Sequence, residues 1–257
     1  MKKFKILGMA VLTASLISLT SCLGEGSNTQ TGVSLGYSTI NLDAMAYAVE
    51  DDFGTVVVAK EFETQLKGNE YVMFGYEVDW AQQSSNKYIY VKATGIEKIP
   101  EVSSKMSITD TTTLLANELP MEAIDISMYN YNSVLTANRH IFLSALHKNV
   151  ASDIETTYDL SFDIDANPVA VGEIRVYDLY LRATKVADGK KVETDTAIIF
   201  AYDLKEFLRR KREVEKNAGN TTVNVRVNFP SKITDGVMTW TTSDVYSFVI
   251  PEEVSNY

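Results

Sequence analysis

The sequence predicts an all-β protein of two small domains, the second an antiparallel β-sandwich with one short helix. Three observations carry that expectation. Apolar and polar residues alternate in run after run, the signature of half-buried strands. An Asp-Gly pair sits between two such runs, as in a tight hairpin. Apolar residues recur at helical spacing clearly only once. At about 150 residues per domain, a chain of 257 residues fits one large β domain or two small ones. With 45% hydrophobic and 23% charged residues it can bury a core, which excludes a disordered, collagenous or multi-span membrane protein.

Residues 1–21 read as a removable signal. Lys2, Lys3 and Lys5 form a positive start, and Ile6 to Leu19 is apolar or small but too short to span a bilayer comfortably. Leu19-Thr20-Ser21-Cys22 then places the only cysteine after two small residues, with leucine three positions before it. This is the pattern of a bacterial lipoprotein signal, with Cys22 as the lipidated first residue; ordinary secretory cleavage leaving a free thiol is the alternative. Acyl chains contribute about 0.8 kcal/mol per buried CH₂, so several together anchor firmly. Removing residues 1–21 takes away three lysines and shifts the net charge from −10 to −13, which argues against nucleic acid or anionic lipid as partners. Residues 22–35, rich in Gly, Ser, Thr and Asn, are expected to form a flexible tether, with the folded part starting near Gly36.

Residues 36–103 are expected to form the N-terminal β domain. Thr55 to Ala59 is a strand by β-branched content. Tyr71 to Trp80 alternates, with Val72, Phe74, Tyr76, Val78 and Trp80 facing a core. Gln82 to Asn86 is a polar loop, and Lys87 to Ile99 resumes alternation, making 71–95 a hairpin. Pro100 closes the region. Residues 101–135 fit an edge strand or a linker, because Pro120 interrupts any long helix there.

Residues 104–257 are expected to form the sandwich. Ile141 to Leu146 is a strand, and Tyr158 to Asp165 is another with Tyr158, Leu160, Phe162 and Ile164 inward. Ile174 to Val186 and Lys191 to Tyr202 flank Asp188-Gly189 as hairpin arms, with a bulge near Tyr177–Asp178 where the apolar parity switches. Leu204, Phe207, Leu208 and Val214 make one stripe, so Leu204 to Lys216 is the helix and Gly219 its stop. Val223 to Phe229 and Tyr246 to Ile250 complete the strands.

No residue pattern points to catalysis. Neither a G-x-S-x-G elbow nor a phosphate loop occurs. Two histidines and one cysteine leave few zinc ligands, and His140 and His147 read as surface or loop residues on opposite faces of a strand. Asp159, Asp163 and Asp165 would share one strand face, either as a solvated acidic edge or close enough to approach one calcium ion or to act as an acid and base pair. Glu50-Asp51-Asp52 lacks calcium-loop spacing. Arg209, Arg210, Lys211 and Arg212 are either a solvated helix face or a dock for an acidic partner. Tyr129, Tyr131 and Trp240 are the candidate ligand-binding residues, able to stack on sugar rings or dock a protein loop if exposed. No catalytic residue, metal or cofactor is expected.

The Leu-Thr-Ser-Cys signal at 19–22 resembles that of the NigD-like lipoproteins of Bacteroidetes. So do the run from Gly68 through Tyr71-Val72-Met73-Phe74 to Val78, the run Ala201 to Leu208, and Val223 to Phe229 followed by Asp235-Gly236-Val237. The resemblance implies a small N-terminal barrel of OB type followed by a C-terminal β-sandwich, and brings no catalytic residues with it. One departure stands out: only Glu25 follows the cysteine closely, where such lipoproteins often carry an acidic run that favours export to the surface. The expectation is a non-enzymatic, lipid-anchored envelope protein of the outer membrane, on the cell surface or the periplasmic face. It would bind an envelope protein or a glycan; a carbohydrate-binding surface lipoprotein and a pilus-type subunit are the rival readings.

Overall fold

The computed structural model describes residues 28–51, 55–125 and 140–250. The described residues are all-β with two α-helices among them, and they divide into two compact units, 28–101 and 102–250. Residues 1–27, with the signal and Cys22, lie outside them, as do Asp52, Tyr129 and Tyr131.

The first unit contains β1 (Thr29–Asn41), β2 (Ala46–Asp51), β3 (Val56–Val58), α1 (Lys60–Gln65), β4 (Tyr71–Asp79), β5 (Ile89–Tyr90) and β6 (Lys92–Ile99). These strands form one sheet in the order β5-β3-β2-β1-β4-β6. β4 and β6 pair antiparallel, as the expected hairpin requires. The barrel implied by the resemblance is not closed: β5 and β6 are the two ends of the hydrogen-bonded path. They are joined through the chain at Val91, whose N–H donates to Val58 O at 3.0 Å. The sheet therefore coils until its two edges become consecutive pieces of one strand. Val49, Val57, Phe62, Val72, Phe74 and Ala93 fill its core, with Phe62 edge-on to Phe74 at 5.2 Å between ring centroids. Phe62 arrives on α1, a helix that the sequence reading lacked, although Phe62 and Leu66 stand at helical spacing and are both buried.

Two expectations are corrected in this unit. β1 begins at Thr29, so residues 29–35 of the expected tether are strand, paired with β4 from Thr29↔Asp79 to Leu35↔Met73. Their low apolar content reflects exposure, since β2 covers the other edge of β1 only from Gly36 onward. Trp80 is not in the core: β4 ends at Asp79, and a single 3₁₀ turn, 80–82, rotates the indole out of the alternation, leaving the residue 49% exposed.

The second unit has two sheets. One contains β10 (Glu155–Ser161), β11 (Val169–Val171), β12 (Ile174–Ala187), β14 (Thr222–Thr234), β15 (Val237–Thr242) and β16 (Tyr246–Val249). The other runs β7 (Glu101–Ser103), β13 (Glu193–Asp203), β9 (His140–Ala151), β8 (Ala123–Asp125). Both feed one core as the layers of a sandwich. Ile141, Leu143, Phe200 and Tyr202 come from one sheet, Leu160, Leu179, Leu181, Val225 and Val227 from the other. The helix α2 (Lys205–Asn217) adds Phe207 and Leu208. It stops as expected at Gly219, whose φ of +81° suits the left-handed turn, with Asn220 N–H closing back on Glu215 O. Val214, expected within its apolar stripe, is instead exposed.

Asp188-Gly189 is not a hairpin. β12 pairs with β10, β11 and β14, and β13 with β9 and β7, so the connection 188–192 crosses from one sheet to the other. Placing the arms in opposite layers brings Leu179 and Leu181 of β12 and Phe200 and Tyr202 of β13 into one core. Asp153 fixes the crossing by accepting the N–H groups of Lys190 and Lys191, each at 2.9 Å. The expected bulge at 177–178 is also absent: Val176 to Tyr180 pair without a break with Asn224 to Asn228, and Tyr177 faces the core in phase with Leu179 and Leu181.

Residues 104–122, left open between edge strand and linker, form an irregular strap. Lys105 N–H donates to Leu160 O, Leu119 N–H to Ala183 O, and Met121 N–H to Pro230 O. Its last stretch thus bonds β12 and β14 beyond the point where those strands cease to pair. Arg182 of β12, 1% exposed, holds the strap down. It pairs with Glu118 and donates to the carbonyls of Asp110 and Thr113.

Candidate functional site

The chemistry-bearing residues of the sequence separate in the fold. β10 stops at Ser161, so the three expected outward carboxylates do not line one face. Asp159 accepts Lys105 Nζ at 2.6 Å and Thr109 Oγ1 at 2.9 Å under the strap, whereas Asp163 caps the N–H of Asp165 at 2.9 Å. Among the described residues, no group of three His, Cys, Asp or Glu side chains is placed to hold a metal ion. His147 corrects the expectation of a surface histidine. It is fully buried, with Nδ1 2.9 Å from Pro120 O and Nε2 2.6 Å from the Tyr158 hydroxyl. Nδ1 therefore carries the proton toward the carbonyl and Nε2 accepts from tyrosine. Burial lowers the imidazole pKa despite the Pro120 contact.

The basic run is largely consumed within its own unit. Arg209 makes a two-bonded pair with Glu206, Arg210 reaches Glu206 and Asp165, and hydrogen bonds from the two arginines hold the Glu206 carboxyl well below its ordinary range. Lys211 is buried, donating to Ala166 O at 2.7 Å with its ammonium 4.8 Å from the Tyr177 ring centre. Beside it Glu215 accepts from Arg175, the Tyr177 hydroxyl and Asn220. Burial alone would raise the Glu215 carboxyl, but these donors outweigh it and the net shift is downward.

Trp240 is the one predicted ligand-binding residue within the described chain. Half-buried on β15, it donates Nε1–H to Thr111 O of the strap at 3.2 Å and meets Tyr180 edge-on at 6.0 Å. Below that aromatic pair, on the face of β12 and β14 opposite the core, lies a connected polar group. Arg226 pairs with Asp178 at 2.6 Å, Asn228 Nδ2 donates to Asp178 at 2.9 Å, and Thr242 donates to Asn228 Oδ1 at 2.7 Å. The ion pair is one-quarter exposed on average (27% for Arg226, 22% for Asp178), and Asp178 raises the arginine pKa through their hydrogen bond. Tyr180, Trp240, Asp178, Arg226 and Asn228 thus join two aromatic rings to a fixed set of donors and acceptors on one sheet face. Alternation along β14 already placed Arg226 and Asn228 outward, and Leu179 and Leu181 facing inward leave Tyr180 outward as well; Asp178 was obscured by the bulge assumed near Tyr177–Asp178.

A second feature is apolar. The tip of the β1–β2 hairpin exposes Ile40, Leu42 and Met45, beside an open groove of about 260 Å³ lined by Ile40, Met45, Ala46, Tyr47 and Glu63.

No family model matches the sequence, and no curated protein matches it either. Solved structures do share its fold. An uncharacterised protein from Parabacteroides merdae superposes with a TM-score of 0.70 at 21% identity, over 86% of this chain and 100% of the other. A candidate lipoprotein from Bacteroides fragilis gives a TM-score of 0.55 at 15% identity, over 86% and 98%. A NigD-like immunity protein from Bacteroides caccae gives 0.50 at 10% identity, over 84% and 96%. At these identities the likeness is one of fold, and at that level the chain shares the architecture of the NigD-like and lipoprotein structures of Bacteroidetes.

Proposed function

We propose that this is a non-enzymatic, lipid-anchored cell-envelope protein of the outer membrane, acting as a binding or structural accessory module. The observation that carries the reading is the position of Cys22. It is the only cysteine, it directly follows Leu19-Thr20-Ser21, and it stands seven residues before the first strand. The shared fold of a candidate lipoprotein supports it. The N-terminal unit is read here as an OB-like module whose coil is completed by the chain at Val91. Labelling of cells with a fatty-acid probe tests the anchor: label should appear on the wild-type protein and vanish from Cys22→Ala, which should leave the membrane fraction. Equal labelling of both proteins would overturn it. Protease treatment of intact cells then assigns the face, since loss of residues 104–257 requires exposure on the outside.

The Tyr180/Trp240 pair above Asp178, Arg226 and Asn228 favours a second reading, a carbohydrate-binding surface lipoprotein. Sugar rings offer apolar faces to aromatic side chains and hydroxyl groups to a carboxylate and an amide. Titration with envelope oligosaccharides should perturb Trp240 fluorescence, and Asp178→Asn should weaken the response. A panel of glycans that leaves the emission unchanged removes this reading.

A further inference from the structure

Trp80 directly follows a core strand and yet is 49% exposed. Its position relative to the start of the chain is fixed twice. Its backbone N–H donates to Asn28 O at 2.9 Å, and its indole Nε1–H donates to Gln30 Oε1 at 3.2 Å. The only polar atom of the ring is therefore satisfied within the protein, and the rest of the ring is hydrocarbon. The Asp79 carboxylate beside it caps the turn, accepting from Ala81 N–H at 3.0 Å and the Gln82 amide at 2.7 Å.

Gln83 ties the backbone at Tyr90 to the same turn. Its amide nitrogen donates to Asp79 O at 2.9 Å and Tyr90 O at 3.0 Å, and its Oε1 accepts Tyr90 N–H at 2.9 Å. Tyr90, 42% exposed, is thus clipped to the turn that carries Trp80, and Tyr88 packs edge-on against it at 5.3 Å between centroids.

Asn28 lies six residues beyond Cys22. That length spans at most about 21 Å fully extended. An acylated Cys22 consequently keeps Trp80 close to the bilayer surface. Tryptophan and tyrosine are the side chains that settle at the membrane–water boundary, where an apolar ring and a polar atom are both accommodated.

We propose that the exposed Trp80, with Tyr90 on the strand clipped to its turn, rests in the headgroup layer of the bilayer that holds Cys22, fixing how the N-terminal unit stands on the membrane. The proposal rests on the reading of Cys22 as the lipidation site. Contact is made by uncharged rings rather than lysines, so it is insensitive to salt and does not require anionic lipid. The net charge of −6 over residues 36–103 is in keeping with that.

The test uses the full-length acylated protein in phosphatidylcholine vesicles. A Trp240→Phe variant leaves Trp80 as the sole tryptophan. On vesicles its emission should shift to the blue relative to the soluble Cys22→Ala form and be quenched by lipids brominated near the headgroup. High salt should change neither effect. In a protein that retains Trp240, Trp80→Ala should remove the quenchable component, which guards against any disturbance from Trp240→Phe. A protein that floats with the vesicles but whose Trp80 emission matches the soluble form overturns the proposal and leaves the anchor standing. Absence of acyl mass on Cys22 overturns the anchor, and the proposal with it.

Discussion

At the scale of single residues, the most consequential group is Arg182 with Glu118, side chains 1% and 0% exposed. A buried charge is tolerable only when paired and fully hydrogen-bonded, and removing one partner leaves the other stranded at a cost of about 3–5 kcal/mol. Glu118→Ala should therefore lower the urea midpoint strongly and open residues 106–116 to protease, since the strap loses its tie to β12. Replacing both partners with apolar residues, Arg182→Met with Glu118→Leu, should cost less than Glu118→Ala alone. A double variant as unstable as the single would assign the loss to packing instead of charge. His147 gives a second prediction at this scale. Burial lowers its pKa from the ordinary 6.5, so the folded state prefers the neutral ring. Stability contributed by this group is complete above that ordinary value and is lost as pH falls below it, because the unfolded chain then binds the proton more readily. Urea midpoints for the wild type should fall from pH 7.5 to 5 more steeply than those of His147→Gln, whose amide can still donate to Pro120 and accept from Tyr158.

At the scale of elements, the sequence contains two Asp-Gly pairs that do different work. Asp235 and Gly236 have φ of 51° and 77° and join β14 to β15 at Thr234↔Val237, the geometry of a tight hairpin. Gly189 lacks a positive φ and serves instead for close approach. A Cβ there would meet Ala151 Cβ at 2.4 Å, Asp153 Oδ1 at 2.5 Å and Ile154 N at 2.9 Å. Gly189→Ala should cost about 1–3 kcal/mol through overpacking, measured by denaturant unfolding. At Gly236 the space is open, and the penalty arises from backbone strain, on the order of 1 kcal/mol. Nothing in the local sequence separates the two cases, because the difference is made by Asp153, far from Gly189 in the chain. The same limit explains what else was legible. Periodicity located β4, β10, β14 and α2, since each buries one face and that pattern is local. It did not locate the strap, whose stability comes from Arg182, or the surroundings of Trp240, whose N–H partner is Thr111.

For the whole molecule, the two units have separate cores with no residue in common: one centred on Phe62, Val72 and Phe74, the other on Leu179, Phe207 and Val225. The smaller unit buries the smaller share of its surface and should be the less stable. Chains with more than one core commonly depart from two-state unfolding. Calorimetry should therefore resolve two transitions, with the N-terminal unit melting first. Phe62→Ala removes a fully buried ring packed edge-on against Phe74 and should lower that first transition by the equivalent of about 3–5 kcal/mol, leaving the second in place. Phe207→Ala, which strips the α2 anchor from the sandwich, should lower the second alone. If each substitution moved both transitions together, the chain would be behaving as one cooperative body. The N-terminal unit would then be held by more than its own core, and an anchor at Cys22 would restrain the sandwich as firmly as the sheet next to it.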